Sequence, residues 1–333
     1  MHHSSSLPQQ KPGTMQATND STMMHDPLQA FRHLCTTPSA AISWACILEA
    51  TAPKVGNVFP GRSFADLSFE DFIAAAELTS LCFNQTPKRI SERMLDSIRQ
   101  VHDQQRTNVN LGIVLLLGPL VAADEVIHKA LEPTEPFTTT SSQTTSSQIT
   151  NLADWIEPVR QSLAQFDQVD GSRIYRAIEL ASAGGLGTSD AMDVNQPHLT
   201  IDICEAMLLA KDRDQIAKQY CSGFRELILE ITPILSASIS TNGDVLRGIC
   251  DAQIQLLAKN PDTLIARKNG MQVAREVQNR AKSVDPSDVT QIGLFDQYLR
   301  SDGHQLNPGT TADLLAAALY LLLRTTPSEN HHE

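Results

Sequence analysis

The chain has 333 residues, of which 41% are hydrophobic and only 5% aromatic, and its 26 Lys and Arg against 38 Asp and Glu leave a formal net charge of −12. Such an acidic chain lacks the broad basic stripe that nucleic-acid binding requires, although a local cluster of cations would still hold a small phosphorylated ligand. Abundant Ala and Leu favour helices over sheets, because these side chains lose little entropy in a helix.

Residues 1–27 are polar and rich in Ser, Gln, Thr and His. They lack the basic and apolar regions of a signal peptide and are expected to form a disordered tail. Apolar residues at three- and four-residue spacing then predict helices over 40–50, 69–82, 90–101 and 111–123. The last is apolar nearly all round, which predicts a central position, with a kink at Pro119. As a run it falls short of the ~20 residues that cross a bilayer. Residues 132–150, with the run TTTSSQTTSSQ, are uncharged and of low complexity, and predict a disordered surface insertion. Further helices are predicted over 152–165, 171–183, 201–210, 214–230, 244–258, 264–282, 293–300 and 312–324, followed by a disordered tail at 326–333. Strand-type alternation is almost absent. The fold expectation is all-α: one multi-helix domain over 28–325, with central apolar helices. The six cysteines (Cys35, Cys46, Cys82, Cys204, Cys221, Cys250) include no C-x-x-C pair and read as buried free thiols of a cytoplasmic protein. No H-E-x-x-H spacing is present.

Six polar islands interrupt the apolar background. Glu49 to Asn57 ends a helix at Pro53, then places Lys54 and Gly56 in one tight loop suited to a phosphate. Arg62 to Phe72 contains a capping box at Ser68 and Asp71, which leaves Arg62 and Asp66 without a structural account. Asn108 and Asn110 precede the central helix. Asn108 suits an N-cap, and Asn110 needs a partner of its own. Gly184 to Asp193 is glycine-rich but lacks the full phosphate-loop pattern and a preceding strand. Pro261 to Gly270 puts Asp262 at a helix start, followed by Arg267, Lys268 and a glycine costly in mid-helix. Asn307 to Ala316 carries a second capping box, Thr310 with Asp313.

Taken in order, the islands resemble the signature of the triphosphoribosyl-dephospho-CoA synthase family. The family's E-x-x-x-x-P-K-P-G loop reads Glu49, Pro53, Lys54, Val55, Gly56. Its H-x-D-M segment is matched at Asp66, with Phe64 at the His position. Its N-T-H-K-G reads Asn108-Val109-Asn110-Leu111-Gly112. Its D-T-N-x-x-x-R-G-G reads Asp262-Thr263-Leu264, with Lys268 at the Arg position and Gly270 at the last Gly. Its S-P-G-G-S-A-D-L-L-A reads Asn307-Pro308-Gly309-Thr310-Thr311-Ala312-Asp313-Leu314-Leu315-Ala316.

The resemblance implies an all-helical, cytosolic transferase that moves the triphosphoribosyl group of ATP to 3′-dephospho-CoA and releases adenine; the family's carrier protein acts only in a later step. An oxocarbenium-like transition state at the ribose then calls for carboxylates, supplied by Glu49, Asp66, Asp262 and Asp313. The triphosphate calls for cations and polar contacts from Lys54, Gly56, Arg62, Asn108, Asn110, Lys268 and Gly309, and for Mg²⁺ on few carboxylates, with Asp262 and Asp313 as its expected ligands. The altered Asn110-Leu111 leaves two other readings open. One is a divergent transferase on another phosphoribosyl or nucleotide substrate, as in pterin-type one-carbon cofactor biosynthesis. The other is a non-catalytic nucleotide-binding protein. Nucleic acid and membrane partners are not expected, and the sequence leaves the oligomeric state open.

Overall fold

A computed structural model describes residues 26–105, 109–131, 149–181 and 202–326. Among them no strand forms, and the only bridges are two isolated ones, Phe59 with Arg62 and Ile149 with Thr325. The helices are α1 (Gln29–Leu34), α2 (Pro38–Thr51), α3 (Phe69–Phe83), α4 (Ile90–Gln105), α5 (Leu111–Leu131), α6 (Ile156–Ala164), α7 (Gln168–Leu180), α8 (Ile203–Ala210), α9 (Gln215–Ser222), α10 (Thr232–Asn242), α11 (Val245–Lys259), α12 (Thr263–Asn269), α13 (Met271–Ala281), α14 (Val289–Leu299) and α15 (Gly309–Arg324). The all-α expectation therefore holds.

The main core is built on α15, which buries every residue from Leu314 to Leu323. It packs on α2, α5, α10 and α11; α3, α4 and α7 extend one side of the molecule and α6 lies on α5. Complete burial of an apolar helix needs neighbours all round, which is why α5 and α15 are central. Trp155 is fully buried against Tyr320, and its indole N–H donates to Thr325 Oγ1 at 2.9 Å. A second cluster, centred on Val55, Ile265, Phe295 and Leu299, gathers α11 to α14. It joins the loop after α2 to the last third of the chain.

Several helix boundaries depart from the sequence reading. Helix α5 continues eight residues past 123 and runs through Pro119. Its segment Leu111–His128 is thus long and apolar enough to cross a bilayer, contrary to expectation, but 72% of that segment is buried inside the protein. The helix expected over 214–230 breaks at Gly223 and Phe224, both with positive φ. Buried Gln219 repairs the break: its Oε1 accepts from Leu227 N at 3.0 Å. A π-turn over Leu227–Ile231 follows, and Thr232 Oγ1 donates to the Leu227 carbonyl just before Pro233, which has no N–H to give. The helix expected over 264–282 breaks at Gly270, with φ +89°, so this glycine is a joint and not a mid-helix residue. Helix α10, rich in Ser, Thr and Ile, was not expected. It is held by close approach: a Cβ on Gly248 of α11 would lie 2.4 Å from Ile239 Cα.

Cys35, Cys46, Cys82 and Cys250 are buried thiols as expected, whereas Cys204 and Cys221 are exposed. Ile149, taken with the insertion, is buried in the core, and its carbonyl accepts from Thr326 N at 2.8 Å. Residues 132–148 of that insertion, most of both expected tails, Asn108 and the glycine-rich island at 184–193 lie outside the described residues.

Candidate functional site

The first turns of three helices, α5, α9 and α15, meet at Asp313. A Cβ on Gly112, in the first turn of α5, would lie 2.0 Å from Asp313 Oδ2 and 2.8 Å from Ile216 Cδ1 of α9. Only glycine allows that approach, and this accounts for the glycine that closes the Asn108-to-Gly112 island. Helix α12 completes the junction. Thr263 Oγ1 accepts from Gln215 N of α9 at 3.3 Å and lies 3.2 Å from Thr310 Oγ1 of α15.

Asp262 is 1% exposed and ties two helices together. Its Oδ1 caps α12 by accepting from Leu264 N and Ile265 N (2.9 and 3.1 Å), and its Oδ2 accepts from Thr311 N and Oγ1, both at 2.8 Å. The capping box expected between Thr310 and Asp313 does not form: α15 begins at Gly309, and its first turn is capped from outside by Asp262. Asp313 is thereby left uncommitted. Among the described residues it has no hydrogen bond or ion pair, and it is partly accessible. Burial, then the charges of Glu49 and Asp262, push its pKa well above the usual carboxylate range, against the opposing charge of Arg267. Burial also raises Asp262, outweighing its four hydrogen bonds.

Glu49 and Lys54 form a buried ion pair of 2.9 Å, with Lys54 fully enclosed and also donating to the Glu49 carbonyl. Lys54 therefore neutralises Glu49 where the sequence reading gave it a phosphate. Asn110 finds its partner in Thr79, donating to Oγ1 at 2.9 Å. Glu49, Thr79 and Asn110 share with Cys46, Phe72 and Ile113 a small pocket.

The remaining expected residues fall on an adjoining rim. Gly56 has φ +71°, gives its N–H to Asp296 Oδ1 at 2.8 Å, and would clash with Leu299 if it carried a Cβ. Gly309 packs on Leu264, 2.5 Å from where its Cβ would be. Both glycines are accounted for by packing. Arg62, half exposed, pairs with Asp296 at 3.0 Å. Asp66 is exposed and meets His304 Nδ1 at 3.2 Å, while Lys268 Nζ donates to the His304 carbonyl at 3.3 Å. Burial, then the charge of Arg267, lowers the Lys268 pKa, and Asp66 and Asp262 act in the opposite direction. Glu49, Asn110, Asp262 and Asp313 thus gather at the junction, and Arg62, Asp66 and Lys268 lie beside it. Residues the sequence reading missed are Gly112, for its contact with Asp313, and Asp214, which caps α9 through Ile216 N and Ala217 N (2.8 and 3.1 Å). The family motif pointed to Gly112; nothing local marked Asp214.

Among the described residues no group of three or more His, Cys, Asp or Glu is placed to hold a metal ion.

Residues 35–331 match the family model CitG, ATP:dephospho-CoA triphosphoribosyl transferase. No curated protein matches the chain. A solved structure from Archaeoglobus fulgidus, described as a triphosphoribosyl-dephospho-CoA synthase, is similar in fold. Its TM-score is 0.54 at 22% identity, over 76% of this chain and 98% of that one.

Proposed function

The chain belongs to the ATP:dephospho-CoA triphosphoribosyl transferase family, and from that premise we propose how its helix junction performs the transfer. The protein is a transferase with ATP as triphosphoribosyl donor and 3′-dephospho-CoA as acceptor. The C1′–N9 bond of ATP breaks, adenine leaves with the bonding pair, and an acceptor hydroxyl oxygen bonds to C1′ and gives up its proton, which balances the one the departing adenine takes up on nitrogen. Asp313 takes that proton and, when ionised, faces the positive charge that develops on the ribose. The observation that carries this assignment is a carboxylate without a partner among the described residues, set against Gly112 among other acids, where three helix N-termini meet. A base is most effective when its pKa lies near the working pH, and an ordinary aspartate near 3.9 would be a weak one.

The first turn of α5 contributes partial positive charge toward the triphosphate, whereas α9 and α15 are capped by Asp214 and Asp262. Glu49, held by Lys54, and Asp262, held by its caps, supply the field that raises Asp313. Asn110 lines the adjoining pocket. Arg62, Asp66 and Lys268 stand on the rim, where the longer acceptor would pass.

Magnesium fits this donor set only as an ion brought in on substrate phosphates. Both oxygens of Asp262 are engaged and Asp313 is committed to the proton, so the substrate's phosphate oxygens would hold most of the ion's coordination. When bound, the ion would neutralise triphosphate charge.

The family match does not favour a different acceptor or binding without turnover. Incubation with Mg-ATP and dephospho-CoA, read by mass spectrometry, is expected to give free adenine and a product heavier by one triphosphoribosyl unit. Adenine release only with another acceptor would reassign the substrate. ATP binding without release under any acceptor would refute the proposal.

A further inference from the structure

We propose that Arg267, and not its neighbour Lys268 at the position of the family's arginine, is the cation that grips the triphosphate; this rests on the ATP-binding reading above.

The two adjacent cations leave α12 in different directions. Lys268, the more exposed of the two, donates to the His304 carbonyl. Arg267 is turned toward the junction, where its charge acts on Asp313. There it is poorly satisfied. Its one ionic contact among the described residues, NH1 to Asp214 Oδ2, is 3.4 Å, longer than the ~2.7–2.9 Å of a well-made charged hydrogen bond. Its Nε is buried and has no hydrogen-bond partner among the described residues. A guanidinium normally engages its fork fully when it is withdrawn from water, because an unmet buried donor is costly.

The surroundings suit an incoming phosphate. Asp214 already spends Oδ1 on the α9 cap, so only its second oxygen faces Arg267. Thr263 and Thr310 place two hydroxyls at the same junction. A phosphate offers the two coplanar oxygens that Arg267 lacks, and the bidentate fork would replace a weak contact with two short ones. Asp214 then acts as a placeholder that keeps the guanidinium positioned before nucleotide arrives.

Calorimetric titration of the full chain with inorganic tripolyphosphate, ATP and adenosine tests the assignment. Arg267→Gln is expected to weaken tripolyphosphate and ATP about 10- to 100-fold, the range for charged hydrogen bonds, and to leave adenosine unchanged. Arg267→Lys should fall between, since an ammonium cannot form the fork. Asp214→Asn keeps the Oδ1 acceptor for the α9 cap and removes the competing charge, so it should tighten tripolyphosphate two- to fivefold. Unchanged tripolyphosphate affinity in Arg267→Gln overturns the proposal. So does an equal loss of adenosine binding accompanied by a lower Tm, which would mark Arg267 as structural. If the wild type binds tripolyphosphate through Arg267 yet releases no adenine with dephospho-CoA, the transferase reading fails and Arg267 keeps its role. A wild type that binds neither ATP nor tripolyphosphate overturns both.

Discussion

Helices α5 and α15 carry an aspartate cluster at each end, and the two clusters are built in opposite ways. At the far end Asp124 is fully buried and fully engaged. It accepts from Tyr320 Oη at 2.5 Å, from Arg324 Nε and NH2 at 2.7 and 3.0 Å, and from His128 Nδ1 at 2.7 Å. Burial pushes its pKa up, but the hydrogen bonds from His128, Arg324 and Tyr320 together outweigh it and leave the pKa below the ordinary value. At the near end Asp313 is enclosed by acids, has no partner among the described residues, and is raised. Burial is common to both ends, and the partners set the direction. The satisfied aspartate fastens the bundle; the unsatisfied one is available for chemistry.

The comparison breaks most sharply on a pair of substitutions. Asp313→Asn should lower the rate of adenine release about 10²- to 10⁴-fold, the usual contribution of a general base, with Tm unchanged or higher, because a strained charge is removed. Asp124→Asn should do the reverse: near-wild-type turnover at low temperature, with about 3–5 kcal/mol of stability lost as Arg324 is left uncompensated. Equal effects of the two substitutions on rate and Tm would erase the distinction.

A comparable loss of stability is expected for Lys54→Ala, about 3–5 kcal/mol by chemical denaturation, since it strands Glu49 in the interior. Lys54→Met together with Glu49→Leu should recover most of it, because a buried pair replaced by apolar groups is often neutral. Recovery of activity in that double variant would refute a role for the Glu49 field. Gly112→Ala is a subtler probe. Its methyl occupies the space of Asp313 Oδ2, so kcat should fall by more than tenfold while far-ultraviolet circular dichroism is unchanged.

The smallest effects are those of pH on stability. Asp124 is depressed, so its contribution is present above the unfolded value near 3.9 and is lost as pH falls through the folded pKa. His128 is raised, first by its hydrogen bond with Asp124, so its contribution is complete below the unfolded value near 6.5 and is lost as pH rises through the folded one. Asp313 is raised and acts oppositely to Asp124: stability declines as pH rises from about 3.9 through its folded pKa. Denaturation of Asp313→Asn across that interval should show a smaller decline, the remainder coming from Asp262, which is also raised, and Asp124→Asn should retain the full decline.

The sequence carried the fold class because α5 and α15 are apolar all round and strand alternation is missing. It carried Asp313 because the closing motif is the closest match to the family's, and Asp262 because the opening Asp-Thr of a more altered motif is kept. What it could not carry depends on contacts between distant segments. The Thr310–Asp313 spacing fits a cap locally, but Asp262, 49 residues before Thr311, takes the capping role and frees Asp313. Lys54 reads as a surface cation until the fold encloses it with Glu49. Arg267 and Lys268 are adjacent cations that both suit a phosphate, and only the path of α12 shows which one faces the junction. Helix α10 carries no amphipathic pattern and is specified by the close approach of Gly248 to Ile239.

The most direct test is a ¹³C titration of aspartate side-chain carboxyls in the wild type, with Asp313→Asn and Asp124→Asn used to assign the two resonances. The account predicts that Asp313 titrates well above the ordinary aspartate value and Asp124 below it. Titration of Asp313 at or below the ordinary value would contradict it.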